Sequence, residues 1–476
     1  MHFPPPRRCA LALALTAVFS TAAPALAQQI IADGDEQTPA AGDYATTEPV
    51  EPGNPAGYAF HAINGGSIVP AGEVNLRTEG MYAAAARAEG TGSRVELQQG
   101  SATTTGYGAA GLSAANDGLV QATGTRIQTF GTASNGAEAM GGQLVLDQVH
   151  ITTHAALSHG VSVKGGNAHV VDSVIEVNAS QSNGLDADAG SVVAERTRIE
   201  IGGSGYGVSV KNGGDVHLRS VQINGRGAGA TGVLAALGRT ILEDVDINLS
   251  HERSGAGLMI GGDVEMRGGS IHAGGTNASV ISFATGSSGT LLLEGVEMSG
   301  HHGIHMTAGT EVTMRNSRLE TNSVGININQ RDGVASVLGS SITTRDGVGI
   351  LMMGKGELDV DGSEITADGE FWQAISVLDG TARVASSRLR TLGQNGHGLY
   401  AEGSGGKKPQ VSAGMTDILT EGHGAIGAIA RLGGTVHLSD SVVRTTGINS
   451  HGVLSGGTGE MTLTNTHVRT EGEGAW

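Results

Sequence analysis

Apolar residues recur along the chain as alternating pairs followed by a third at a fixed offset. Leu144 and Leu146 precede Ile151, Val216 and Leu218 precede Ile223, Val312 and Met314 precede Leu319, and Val436 and Leu438 precede Val443. The second member of each pair lies five positions before the third. Polar corners such as Asp172-Ser173, Asn316-Ser317 and Ser439-Asp440-Ser441 separate them. Upstream of each unit stands a glycine and an apolar strand, as in Gly160-Val161-Ser162-Val163 and Gly325-Ile326-Asn327-Ile328. The alternation has period two, which predicts strands and disfavours helices. The leading glycines, at 80, 108, 136, 160, 184, 207, 232, 257, 303, 325, 349, 398, 427 and 452, recur roughly every 25 residues. The gaps 257–303 and 349–398 each span two units, which makes about sixteen units.

Three short strands per unit are too small to bury a face alone. Stacking the units in register solves this, because each backbone then pairs with the coils above and below while inward apolar residues form continuous columns. Glycine corners permit positive φ and close approach of neighbouring coils. The fold predicted is an all-β, right-handed, single-stranded parallel β-helix, and sixteen coils at ~4.8 Å spacing give a rod of about 75 Å. A β-propeller would need longer, four-stranded units with periodic aromatics. The Leu and Asn spacing of leucine-rich repeats is missing.

Composition sharpens this picture. There are 79 glycines among 476 residues, 3% aromatics, 38% apolar residues and a net charge of −18. Abundant glycine with few aromatics suits stacked backbones and repeated turns. The acidic balance argues against nucleic acid as a partner, since phosphate binding needs a basic footprint. The first 27 residues read as a secretory signal: Arg7 and Arg8, an apolar run from Ala10 to Phe19, and Ala25-Leu26-Ala27 before a cleavage point at Gln28. The single cysteine, Cys9, lies within it, so neither disulfides nor a Cys-based zinc site are expected in the mature chain. Residues 28–57 carry Asp33, Asp35, Glu36, Asp43, Glu48 and Glu51 without one Lys or Arg, and read as a flexible acidic leader before a β-helix over 58–476.

Signal, acidic leader and Gly-rich coils, with repeats such as Gly427-Ala428-Ile429-Ala430-Arg431-Leu432-Gly433-Gly434-Thr435-Val436-His437-Leu438, resemble the pertactin-like autotransporter passengers of Gram-negative bacteria. The fold that this implies is the pectin-lyase-like solenoid. The resemblance also implies a surface adhesin or virulence factor, acting as a monomer on host-cell or matrix ligands and carried by an outer-membrane translocator barrel. Arg-Gly-Asp is missing, Arg331-Asp332-Gly333 and Arg345-Asp346-Gly347 having the wrong order. The sequence stops at Trp476, partway into a unit, with no barrel-like segments after it. The expectation is therefore a passenger fragment, export by another route with the periplasm as resting place, or a truncated non-functional remnant.

Many β-helices are polysaccharide lyases or hydrolases, and the hydrolases need carboxylates flanking the scissile bond. Gly396-His397-Gly398 and Gly422-His423-Gly424 resemble one polygalacturonase motif, but no Asp-Asp pair accompanies them. His-Gly recurs at Ser158-His159-Gly160, His302-Gly303 and Ser450-His451-Gly452, which marks it as part of the repeat. His397, His423 and His451 would have to meet on successive coils to bind a metal, and insertions near His423 blur that register. Asp186-Ala187-Asp188 and Asp359-Val360-Asp361 read as solvated corners, a better reading than calcium sites. Gly202-Gly203-Ser204-Gly205-Tyr206-Gly207 reads as a corner as well. No catalytic, metal or cofactor site is read from the sequence. The candidate binding feature is an inserted loop, Gly405-Gly406-Lys407-Lys408-Pro409, in which Lys407, Lys408 and Pro409 stand out because lysine otherwise occurs only at Lys164, Lys211 and Lys355.

Overall fold

A computed structural model describes residues 29–51 and 57–475. Each coil contributes a first, second and third strand, joined by first and second corners and linked to the next coil by a third corner, except that Gly238–Leu249 and Asp263–Ala273 each run through the second and third positions as one strand. First strands stack into one 18-stranded parallel sheet, and second and third strands together form a 34-stranded sheet. The chain is a right-handed parallel β-helix, as the pattern predicts. One coil illustrates the rest: Val161–Lys164, Asn167–Val171 and Val174–Val177. Its alternate residues Val161, Val163, Ala168, Val170, Ile175 and Val177 point inward and are 0–4% exposed. They lie in register with their counterparts, Val161 against Leu185 and Ile175 against Ile199. Burying each Val or Ile contributes about 1.5–3 kcal/mol, and the coil-to-coil ladder satisfies the backbone.

Two columns of glycine hold the coils this close. At the entry to the first strand, a Cβ on Gly184 would lie 2.3 Å from Ile199 Cγ2 and 2.6 Å from the carbonyl oxygen of Gly207. This column runs through Gly136, Gly160, Gly184, Gly207, Gly232 and Gly257, and then Val280 and Ala374 take the glycine's place. Those two substitutions account for the double-length gaps in the sequence. Gly80 belongs to the second column, at the third corner, where it stacks with Gly106 and Gly131; Ala85 and Gly111 hold its expected place. A ladder of buried serines closes the second corner: the N–H of Ser317 donates to Ser340 Oγ (3.1 Å), that of Ser340 to Ser363 Oγ (3.0 Å) and that of Ser363 to Ser387 Oγ (3.1 Å).

The acidic leader needs correction. Ile30–Asp33, Glu36–Gln37 and Gly42–Thr46 are strands, paired in parallel with Phe60–Ile63, Ser67–Ile68 and Val74–Thr78. They form a first coil, with Ala32 and Tyr44 buried and the Tyr44 ring edge-on to Phe60 at 5.0 Å. The acids face outward, where Asp33 and Asp43 accept hydrogen bonds from Asn64 and Asn75 of the next coil. Low hydrophobicity here reflects a small coil, not a free chain. The proposed signal, residues 1–27, lies outside the described residues.

Candidate functional site

The outer face of the 18-stranded sheet gathers the chain's most perturbed titratable groups. Strand alternation sends Asp186 outward from between inward Leu185 and Ala187, yet it is only 1% exposed. Its row reads Arg87, Ser113, Glu138, Ser162, Asp186 and Ser209 on successive coils. Flanking side chains cover it: Asn183 Nδ2 donates to Oδ1 at 2.9 Å, and Lys211 Nζ lies 3.1 Å from the same oxygen. Burial alone would raise its pKa, but the neighbouring positive charge and hydrogen bonding keep it below the usual carboxylate value. Glu138, two coils away, accepts from Ser113 Oγ and Asn135 Nδ2.

The His-Gly histidines build a stack of their own. Asn135, His159, Asn183 and Tyr206 occupy one position on successive coils, just before the glycine column. Asn135 Oδ1 accepts the N–H of His159 (3.0 Å), His159 Nδ1 accepts that of Asn183 (3.0 Å), and Asn183 Oδ1 accepts that of Tyr206 (3.1 Å). His397 repeats the arrangement, its Nδ1 accepting the N–H of Ile426 at 3.2 Å. A ring nitrogen that accepts must be unprotonated, so these histidines act as asparagine equivalents. Burial, helped by Arg431, pushes His397 down to about 4; burial likewise lowers His159.

The structure therefore sorts the expected sites. His397 and His451 share a row two coils apart with Ile426 between them, whereas His423 sits at the third corner near Asn449. The two Gly-His-Gly copies are thus not equivalent. No group of three or more His, Cys, Asp or Glu among the described residues is placed to hold a metal. The solvated-corner reading of the Asp pairs is wrong in its geometry: Leu185–Asp188 and Gly356–Asp361 are strands, and Asp186 is buried. Gly202 to Ser204 form a corner, but a strand begins at Gly205.

Lys407, Lys408 and Pro409 do lie in a loop between His397–Glu402 and Gln410–Gly414. It folds back along the rod, and Lys407 Nζ donates to the Met353 carbonyl two coils earlier at 3.0 Å. Beneath it lies a groove of about 740 Å³ lined by Lys355, Glu357, Asp379 and Lys408 among others. The buried network around Asp186 escaped sequence reading, since alternation alone places Asp186 outside and gives no sign of its cover.

A family model described as the right-handed beta helix region matches residues 206–365. No curated protein matches the chain. The match supports the solenoid architecture and covers less than half of the chain.

Proposed function

We infer that the chain is an exported rod that acts by binding: a pertactin-like autotransporter passenger, serving as a surface adhesin or virulence factor toward host-cell or matrix ligands. With a translocator it would stand at the cell surface, and without one it would rest in the periplasm. The observation that carries this reading is the way the chemistry-bearing groups are used up inside the ladder. His159 and His397 spend Nδ1 on backbone N–H groups, and Asp186 is held by Lys211 and Asn183. The Lys407 loop, by contrast, is built outward on a fixed contact.

A polysaccharide-cleaving reading has one observation in its favour. Glu138 and Asp186 lie on one row two coils apart, a backbone separation of about 9.6 Å at ordinary strand spacing, near the carboxylate spacing of inverting glycosidases. Immobilised host-matrix proteins and pectin-like polymers, each incubated with purified protein, separate the readings. Saturable retention without release of reducing ends or unsaturated product is expected. Polymer cleavage lost in Glu138→Gln would overturn the binding reading.

A further inference from the structure

The most exposed aromatic side chains of the rod's N-terminal third share one ridge. Tyr82, Tyr107 and Phe130 occupy third corners of successive coils and are 55, 49 and 46% exposed. The Tyr82 and Tyr107 rings meet edge to face at 5.7 Å, and Phe130 stacks flat on His154 of the next coil at 4.4 Å. The chain has only six Tyr and six Phe in all, so this grouping is not dilute background.

The ridge is also costly to keep. Tyr82, Ala133 and Leu157 hold φ of 58°, 56° and 61° at one corner position, with Gly108 between the first two in the stack. A left-handed conformation costs a non-glycine residue about 1–2 kcal/mol, and the Tyr82 ring stays 55% exposed although it lies over Gly108 and beside Tyr107.

Its surroundings define the partner. Next to the rings the outward residues are Thr103, Thr105, Gln128 and Thr132, all uncharged, and at the near end Arg77 and Glu79 neutralise each other at 2.9 Å. A neutral strip on a molecule of net charge −18 repels acidic polymers and discourages a second, equally acidic copy. Ring faces carry partial negative charge that attracts polarised C–H groups, while hydroxyls and an amide supply hydrogen bonds.

We propose that this ridge is a binding platform for a neutral glycan chain, lying along the rod with sugar rings stacked on Tyr82, Tyr107 and Phe130. The inference rests on the binding reading and gives it a ligand class. The test is affinity electrophoresis of the whole protein through gels containing a neutral β-glucan, galactan or mannan, with polygalacturonate as the charged control. Retardation by at least one neutral polymer is expected, weakened at least tenfold in Tyr107→Ala and in Phe130→Ala and unchanged in Met415→Ala, which removes an exposed apolar side chain at a second corner far along the rod. Circular dichroism verifies that both ring variants stay folded. Retardation by polygalacturonate alone, full retention of binding in the double ring variant, or concentration-dependent dimerisation abolished by Tyr107→Ala would each overturn the proposal. Capture by matrix proteins without any neutral-glycan retardation defeats the ridge proposal alone. Degradation of the gel polymer defeats the binding reading itself.

Discussion

The outer face of the 18-stranded sheet and the aromatic ridge at the third corner invert the usual division of labour. On the first, residues rich in chemistry are buried or half-buried and engaged with the ladder: Asp186 with Lys211 and Asn183, and Nδ1 of His159 and His397 with backbone amides. On the second, apolar rings stand in solvent, one of them on a left-handed backbone. Charged and imidazole groups here hold coils together, while oily groups are displayed. A buried polar atom must find a partner, and in a stacked coil the nearest partners are the equivalent positions of the next coil. Titratable residues are thereby drawn into the ladder.

The largest expected effect is on the buried pair. Asp186→Ala strands Lys211 and the Asn183 amide, and should cost about 3 kcal/mol in chemical unfolding, at the low end for a buried pair because the Lys211 side chain is 37% exposed and can turn to solvent. Neutral-glycan retardation should survive in that variant wherever it remains folded; its loss would join the two regions.

Next comes His397. Leucine there leaves the Ile426 N–H unsatisfied and should cost about 1–3 kcal/mol. Asparagine keeps an acceptor, as Asn135 and Asn183 do in the same kind of stack, so His397→Asn should be nearly neutral at pH 7.5. The two should differ in acid. Between about 4 and the ordinary 6.5, an unfolded His397 binds a proton that the folded one refuses. The stability it contributes is complete above 6.5 and drains away as pH falls toward 4. Unfolding followed from pH 7.5 to 4.5 should therefore be less steep in His397→Asn than in the native chain, and equal slopes would mean that the ring nitrogen is not committed as described. The smallest effect is expected from Phe130→Ala, a change within about 0.5 kcal/mol, since half of that ring is already in water.

Much of this architecture is legible without coordinates. The five-residue offset between inward positions located second and third strands, and the glycine spacing located coils, because period and close approach are both imposed by the ladder. The failures have physical causes. Val280 and Ala374 break the glycine column without breaking the coil. The first coil puts few side chains inside, Ala32, Pro39 and Tyr44 with Ile30 at the edge, so its acids dominated the composition. Asp186 shows that alternation gives direction but not exposure, which depends on the lateral neighbours Asn183 and Lys211. His-Gly was correctly assigned to the repeat, although His423 shares only its letters and not its place. Tyr82, Tyr107 and Phe130, spaced unevenly at 25 and 23 residues, gave no motif at all; only the stacking of third corners joins them.

The contrast between the two regions turns on whether the ridge serves the fold, and the unfolding temperature of Tyr82→Asn measures that directly. Asparagine tolerates a positive φ well, as Asn395 and Asn449 do at third corners further along the rod. An unfolding temperature equal to or above that of the native chain is expected. A fall of several degrees would contradict the account, making Tyr82 part of the structure and leaving the ridge without a reason to be displayed.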